Sequence, residues 1–285
     1  MRETRAAFSV CATFSKLAAV TLLLTAIAAA DTPPSTPDVR EQAWAVLTSG
    51  LRHHHASNRA NAVQALELMT RNRRAAQFAI RALSDKDFHV RAAAAMSLGP
   101  MDAKEAKPAL RDALNDQEVS VALAATHSLY LLKDKQAYEI YYAILMGDRK
   151  SSNGLIQSQV DRLKDPKQVM QMGFEEGISF IPFGGMGYEA WRQLHHHEGV
   201  NARAVAAGFL AHDPDQITED ALIQSALADK DEEVRIAAVD ALADRGDPKC
   251  VERLARNLTE DKSTVRYRTA AAILHLSDLE KRPKK

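Results

Sequence analysis

The sequence predicts an all-α fold, a superhelical solenoid of about seven helical pairs, from a repeated phrase, its spacing and its composition. The phrase recurs at intervals of 31 or 32 residues and consists of a leucine, an acidic turn, a Val-Arg pair and an alanine-rich run. Its clearest copies span residues 83–98 and 227–242, related copies span 114–129 and 258–274, and a degenerate copy spans 145–160. Alanine, leucine and charged residues dominate the chain, which favours helices. Helical pairs that repeat at a fixed period bury their apolar faces by stacking on one another.

Each copy of the phrase predicts two helices. Helix A begins after the acidic turn and continues through the alanine-rich segment, as in Val90 to Leu98, where small side chains let neighbouring helices approach closely. Glycine and proline then stop it, as in Leu98-Gly99-Pro100, and helix B follows, as in Lys107 to Leu114. The acidic residue before helix A caps its free amides and complements its dipole.

An amphipathic helix is predicted from Val39 to Leu51, because Trp44, Leu47 and Leu51 recur at helical spacing. This helix precedes the first copy of the phrase, so it is a candidate cap for one end of the array. The solenoid is therefore expected to occupy residues 39–280.

An insertion is predicted where one repeat step is too long. The aligned positions Asn153 and Arg203 are 50 residues apart, about 18 more than this repeat requires. The insertion, residues 173–188, is rich in glycine and aromatic residues and lacks helical periodicity. It is either a structural plug that packs on the solenoid or a recognition loop, since insertions in repeat proteins often map to a binding face. The recognition alternative would present these side chains to a partner: Phe180, Pro182, Phe183 and Tyr188.

Residues 1–30 are predicted to be a secretory signal peptide. Basic residues precede an apolar run of 14 residues from Leu17 to Ala30. This run is too short to span a bilayer comfortably, and it ends in a small-residue cleavage site. We expect cleavage after Ala30 and an exported protein, periplasmic or secreted. An uncleaved membrane anchor is the alternative.

The segments beside the solenoid are short and polar. Residues 31–38 are a proline-rich linker, and residues 281–285 are a basic tail. After cleavage the chain would retain Cys250 as its single cysteine, so no internal disulfide is expected. Cys250 falls in a helix B predicted over Lys249 to Leu258, where a packed core thiol is expected.

The phrase L-x-D-x-D-x-x-V-R-x-x-A-x-x-A-L resembles HEAT repeats, in particular the short form related to phycobilisome-lyase repeats, over roughly residues 40–280. The resemblance implies that the turn acids and helix arginines form a structural ladder, in which each arginine bonds to turn groups of a neighbouring repeat. Ala122 and Asn153 stand at arginine positions and interrupt this ladder. The residues at ladder positions are Arg59, Asp85, Arg91, Asp116, Arg203, Asp229, Arg235, Glu260 and Arg266.

Two histidine clusters suggest a metal site: His53-His54-His55, and His195-His196-His197 followed by Glu198. Adjacent side chains on one segment point in different directions, whereas a helical site needs spacing such as H-x-x-x-H. The clusters also fall in repeats four steps apart, which separates them by tens of ångströms. Solvated turns are therefore predicted, and His197 and Glu198 are the candidate ligands for the metal alternative.

The His197-Glu198 pair resembles the His-Glu pairs of deoxyhypusine hydroxylases, di-iron enzymes built on this repeat type. That family uses several such pairs facing one another, whereas this chain has one His-Glu dipeptide. The sequence also lacks G-x-S-x-G, H-E-x-x-H, P-loop and C-x-x-C motifs. No catalytic residue and no cofactor is predicted.

The sequence favours a non-enzymatic, protein-binding scaffold of the bacterial cell envelope, because solenoids present long surfaces to partners. Its 37 basic and 37 acidic residues balance, so no nucleic-acid partner is expected. One alternative is a metal-dependent oxidoreductase or lyase on the same scaffold, resembling deoxyhypusine hydroxylases or bilin lyases. A second alternative is a peripheral membrane binder that uses the insertion and the basic tail, with weak membrane contact. The predicted partner is a protein of unidentified kind.

Overall fold

The computed structural model describes residues 38–146 and 202–280, with the backbone alone at residues 119 and 142–146, and every regular element in these ranges is a helix. Short 3-10 turns lie at residues 66–68, 104–106, 248–250 and 255–259. The α-helices of the described ranges are α1 Val39–Leu51, α2 Ala56–Ala65, α3 Arg73–Ala82, α4 Phe88–Leu98, α5 Lys107–Ala113, α6 Val119–Leu131, α7 Lys135–Met146, α8 Ala202–Leu210, α9 Gln216–Ala228, α10 Glu232–Arg245, α11 Val251–Leu254 and α12 Ser263–Glu280.

The A helices predicted from the repeat are α2, α4, α6, α8, α10 and α12 in the described ranges. They pack side by side in the order α8, α10, α12, α2, α4, α6, each in contact with the next. The remaining helices pack against this row, as α3 does on α4 and α9 does on α10. The prediction of an all-α solenoid is confirmed. The degenerate copy at residues 145–160 lies almost entirely outside the described residues.

Small residues allow the A helices to approach closely, as the contact of α4 with α6 shows. A Cβ atom placed on Gly99 would lie 2.8 Å from the Ser128 hydroxyl oxygen, closer than real Cβ atoms come to another atom. The Gly99 amide donates a hydrogen bond to this hydroxyl at 3.1 Å, and the hydroxyl donates to the Ala95 carbonyl oxygen at 2.5 Å. The Gly99 backbone and the Ser128 side chain are thus both used for packing between repeats.

Asx side chains begin several helices, as the sequence predicts. Asp87 accepts a hydrogen bond from the His89 amide at the start of α4, and Asp231 accepts one from the Glu233 amide at the start of α10. Each bond satisfies an amide that has no partner within its own helix.

The structure of the last helix B differs from the predicted single helix over Lys249 to Leu258. Two 3-10 turns flank α11, which has only 4 residues. The buried Asn257 side chain donates to the Ala226 carbonyl oxygen of α9 at 2.8 Å. This bond ties the tighter final turn to the preceding helix.

The helix α1 is not a terminal cap, so that expectation from the sequence is wrong. It packs against α12 at the far end of the described chain as well as against α2, and α12 also packs on α2. A helix B packs against the A helix that comes next in the row, as α3 does on α4. Helix α1 packs on α2 in the same way, so it holds the position of the helix B that would follow α12. We call the contact of α12 with α1 and α2 the closing seam.

Polar and steric contacts define the closing seam. Arg40 of α1 donates to Asp278 of α12 at 2.6 Å. A Cβ atom on Gly50 of α1 would lie 2.6 Å from the ring of Tyr267, so only glycine fits against this buried ring. The physical reason for the seam is burial, because α12 would otherwise leave one apolar face without a neighbour.

No helix in the described ranges is both long enough and apolar enough to cross a membrane.

Candidate functional site

The turns that precede the A helices carry polar groups that are hydrogen-bonded from one repeat to the next. Arg59 shows this arrangement clearly. Its residue is 8% exposed. Its Nε and Nη2 donate to the two carboxylate oxygens of Asp85 at 2.8 and 2.7 Å. Its Nη1 donates to the carbonyl oxygens of His53 and His54, both at 3.0 Å. Arg59 therefore joins its own turn to the next one through a bidentate, charge-assisted pair.

Arg91 repeats this arrangement one step further along. Its Nε and Nη2 donate to Asp116 at 2.7 and 2.9 Å, and its Nη1 donates to the carbonyl oxygens of Asp85 and Lys86 at 3.0 and 3.3 Å. Ala122 occupies the next arginine position and is buried, so the ladder ends there as the sequence indicates.

The ladder continues in the second described range. Arg203 Nη1 donates to Asp229 at 2.5 Å. Arg235 Nη1 donates to the Asp229 carbonyl oxygen at 2.7 Å, and its Nη2 forms an ion pair with Glu260 at 3.8 Å. The structure thus brings together the sequence-predicted acids and arginines of neighbouring repeats.

Arg266 makes the contacts to its own turn but lacks the forward pair. Its Nη1 donates to the carbonyl oxygens of Glu260 and Asp261. In the described part of the chain, no carboxylate forms an ion pair with Arg266, and its Nε and Nη2 donate no hydrogen bond. The next turn in the row is the histidine turn, residues 53–55.

His53 occupies the position of the turn acid. Each turn acid accepts a hydrogen bond from the amide two residues further on, as Asp85 does from Asp87 at 2.9 Å and Asp229 does from Asp231 at 3.0 Å. His53 does the same, because its Nδ1 accepts from the His55 amide at 3.1 Å. The imidazole therefore replaces a carboxylate at this step.

The pKa values of the turn groups follow from their neighbours. Burial alone would raise the pKa of the Asp85 carboxyl, but hydrogen bonds from Arg59 and from the Asp87 amide hold this pKa below its ordinary 3.8. The pKa of His53 lies below its ordinary 6.5, first because of partial burial and then because of electrostatic interactions with His54, His55, Arg266 and Arg59. His53 is accordingly neutral at pH 7.

Within residues 38–146 and 202–280, the histidine turn is not part of a cluster of three or more metal ligands. The His53 and His54 rings stack with their centroids 4.3 Å apart, and the His54 and His55 rings are tilted by 46° with their centroids 3.8 Å apart. Among the described residues, no group of three or more His, Cys, Asp or Glu side chains is arranged to hold a metal ion.

Two other candidate sites in the described part of the chain are a buried thiol and an open cavity. Cys250 is a buried free thiol, as predicted, and burial together with Glu219 and Asp247 raises its pKa to about 12, so it is not a nucleophile. An open, polar cavity of about 400 Å³ lies between α9 and the last 3-10 turn. Its lining residues are Leu227, Arg256, Asn257, Thr259, Glu260 and Asp261.

Several predicted site residues lie outside the described ranges. They are the recognition candidates Phe180, Pro182, Phe183 and Tyr188 and the metal candidates His197 and Glu198. The insertion at residues 173–188 and the cluster His195-His196-His197 fall in the same interval. The plug and recognition alternatives therefore both stay open.

The structure reveals an exposed apolar edge that the sequence analysis missed. Phe209 and Leu210 at the end of α8 are 63% and 39% exposed, and Ile217 at the start of α9 is 76% exposed. We call these three residues the apolar edge. The repeat pattern treats the positions of Phe209 and Leu210 as core, so only the position of α8 at the end of the described row distinguishes them. Ile217 stands where another repeat has the exposed Lys249.

The chain belongs to the HEAT repeat proteins. The family model for HEAT repeats matches residues 44–130 and 189–274, which together make up more than half of the chain. No curated protein matches its sequence.

One of the solved structures to which the chain is similar is human deoxyhypusine hydroxylase in complex with glycerol. The sequence identity is 15%, the TM-score is 0.34, and the match covers 84% of this chain and 97% of that chain. Another is the complex of CpcE and CpcF of phycocyanin lyase from Nostoc sp. PCC7120, with 17% identity, a TM-score of 0.33 and coverage of 86% of this chain and 97% of that chain.

Proposed function

We propose that this protein is a non-enzymatic, protein-binding scaffold, and that the apolar edge is part of the surface that contacts its partner. Membership of the HEAT repeat proteins supports a helical scaffold. The location that we propose, the bacterial cell envelope, rests on the expected signal peptide at residues 1–30.

The apolar edge is the observation that carries this proposal. Ile217 and Phe209 expose most of their surface although they are large and apolar. Burial of one such side chain against a partner contributes about 1.5–3 kcal/mol. Clustered apolar side chains at the surface are typical of protein-binding sites.

The ladder supports the same function, because its charges are used to hold the scaffold together. Arg59 and Arg91 each make four hydrogen bonds to turn groups of their own and the next repeat. A group whose hydrogen bonds are all satisfied by the protein is suited to rigidity rather than to acid–base chemistry.

Site-specific crosslinking tests the proposal. A photoreactive amino acid at Ile217 should form a discrete adduct with one envelope protein, because this side chain would lie in the interface. The same amino acid at Lys86, an exposed residue of the ladder turns, is the matched control and should form none.

A double variant completes the test. Phe209→Ser with Ile217→Ser should abolish the adduct formed from a neighbouring position on α8, while the melting temperature stays close to wild type because both side chains are already exposed. An adduct pattern that is identical at positions 217 and 86, or stoichiometric iron in tag-free protein, would contradict the proposal.

A further inference from the structure

The described row of A helices contains five helix-to-helix steps, and four of them have the same charge arrangement. In each of the four, an arginine on one helix faces the turn acid that precedes the next helix. These pairs are Arg203 with Asp229, Arg235 with Glu260, Arg59 with Asp85, and Arg91 with Asp116. The fifth step, from α12 to α2 in the closing seam, has the arginine but no acid.

The first turn of α12 lies beside the histidine turn. Gly50 of α1 touches the Tyr267 ring, and the Asn61 side-chain amide donates to the Thr264 hydroxyl at 3.4 Å. The Arg266 guanidinium lies near the same ring, with its Cζ atom 5.3 Å from the ring centroid. These contacts place Arg266 at the closing seam, where its charge acts on His53.

Arg266 and His53 both have N–H groups that could act as donors at the step from α12 to α2. Arg266 uses Nη1 for its own turn, so Nε and Nη2, the atoms with which Arg59 and Arg91 hold a carboxylate, are not occupied within the described residues. Because His53 Nδ1 accepts from the His55 amide and also lies 3.1 Å from Asn58 Nδ2, the proton of the neutral ring is placed on Nε2. Asn58 Nδ2, a donor and not an acceptor for this proton, lies 3.5 Å from Nε2. His53 and Arg266 are both partly exposed.

We propose that the closing seam contains a binding site for a carboxylate group, in which Arg266 supplies the guanidinium donors and His53 Nε2 supplies a third. The carboxylate would take the place that the turn acid takes at the other four steps. The inference does not depend on the proposed scaffold function, because a small acid in solution is enough to test it.

The charges around His53 set the pH dependence of this site. The groups that act on its titration are His54 and His55 on the same turn, Arg59 on α2 and Arg266 on α12, and all of them favour the neutral ring. A bound carboxylate adds the opposite charge and favours the protonated ring. Carboxylate binding should therefore strengthen as the pH falls below 6.5, the ordinary pKa of histidine.

Histidine side-chain NMR of the whole protein is the direct measurement. Glutarate, and separately a short peptide with one glutamate, should shift the His53 ring signals and raise its pKa, whereas chloride at equal ionic strength should not. Tighter binding of the peptide would identify a protein side chain as the source of the carboxylate, and equal binding would identify a free acid. A chloride effect as large as the glutarate effect would overturn the proposal.

Three variants locate the site. Arg266→Gln should weaken binding by about tenfold to a hundredfold, the usual value of hydrogen bonds to a charged group. Arg253→Gln, which removes an exposed arginine paired with Asp220 elsewhere, should leave binding unchanged. His53→Asp should restore the ladder, raise the melting temperature and abolish glutarate binding. Undiminished glutarate binding in His53→Asp or in Arg266→Gln would overturn the proposal.

Discussion

At the turns of Arg59, Arg91 and Arg235, one guanidinium group bonds both to its own turn and to the turn acid of the next repeat. Arg59 is the most buried example. Arg59→Ala would leave Asp85 without its cation and the carbonyl oxygens of His53 and His54 without donors. We expect a loss of about 3 kcal/mol in the free energy of unfolding, measured by chemical denaturation. The reason is that the Asp85 carboxylate would stay partly desolvated without the cation that compensates for it.

Arg253→Ala is the matched control for Arg59→Ala, since Arg253 and its partner Asp220 are 46% and 55% exposed. It should cost about 0.5 kcal/mol or less. The wild-type advantage over Arg59→Ala should also depend on pH. The folded-state pKa of Asp85 is depressed, so this stability is present above 3.8 and is lost as the pH falls further. An equal loss in both variants would show that the ladder does not stabilise the fold.

At the scale of the element, the turns from helix A to helix B that follow α2, α4, α6 and α10 each contain a residue with a positive φ, and after α10 this residue is a glycine. Gly246, at the end of α10, has φ +72°, and a Cβ atom there would lie 3.3 Å from Leu279 Cδ1. Arg71, Asp102 and Lys133 hold the equivalent left-handed conformation, 31 residues apart, with φ of 59°, 52° and 57°.

Two glycine-to-alanine substitutions should have opposite effects on stability. Gly246→Ala should lower it by about 1 kcal/mol, because the left-handed conformation disfavours a Cβ atom. Gly208→Ala, within α8, meets no atom within 4 Å and should raise stability, by about 0.5–1 kcal/mol. Thermal unfolding of both variants checks this, and a lower melting temperature for Gly208→Ala would contradict it.

At the scale of the whole molecule, the closing seam depends on a partly buried charge cluster. Arg268 of α12 donates to Asp240 of α10 at 2.5 and 2.9 Å and to Glu67 at 2.6 Å. Burial raises the pKa of Asp240, and Arg268 opposes that shift. Arg268 thus connects the last two A helices with the turn that follows α2.

Arg268→Met should destabilise the protein by about 3 kcal/mol, because it leaves two partly buried carboxylates without a cation. When the pKa of a carboxyl group is higher in the folded state than in the unfolded state, the protein becomes less stable as the pH rises. The deficit relative to wild type should therefore grow between pH 4 and pH 7, the range just above the ordinary pKa of 3.8.

Hydrogen exchange separates a seam effect from a general one. The amides of α1 should exchange faster in Arg268→Met, whereas those of α4 should change less. The control is Lys262→Met, which removes an exposed lysine just before α12, 4.0 Å from Glu232. Uniform acceleration in all helices would argue that the seam does not open separately.

The repeat made most of this fold predictable. The period and the acidic turns located the A helices. The turn acid Asp85 lies six residues before Arg91, and the residue six before Arg59 is His53, so the sequence contains the equivalence of His53 with a turn acid. The offset alone did not show that Arg266 faces the histidine turn, because that neighbour is determined by the packing of α12 on α2. Nearest-neighbour reasoning along the chain placed α1 at an end, whereas burial places it between the first and last repeats.

The candidate surfaces were less predictable, for a physical reason. Phe209 occupies a position that the repeat normally buries, as Ala241 shows, and its exposure depends on which helix stands beside it. Ile217 occupies a position that the repeat normally exposes, as Lys249 shows, so there the residue type departs from the pattern. A periodic pattern identifies which faces are apolar, but it does not specify the neighbour of each face.

The closing seam has a consequence for the order in which the protein folds during synthesis. A solenoid normally folds through contacts between adjacent repeats, so each repeat finds its neighbour as soon as it is made. Here Arg40 and Asp278 are 238 residues apart, and Glu67 and Arg268 are 201 residues apart. Helix α1 therefore leaves the ribosome long before α12, and the part of its surface that packs on α12 stays uncovered until α12 has been made. Long-range closure of this kind slows folding and gives chaperones a defined surface to protect.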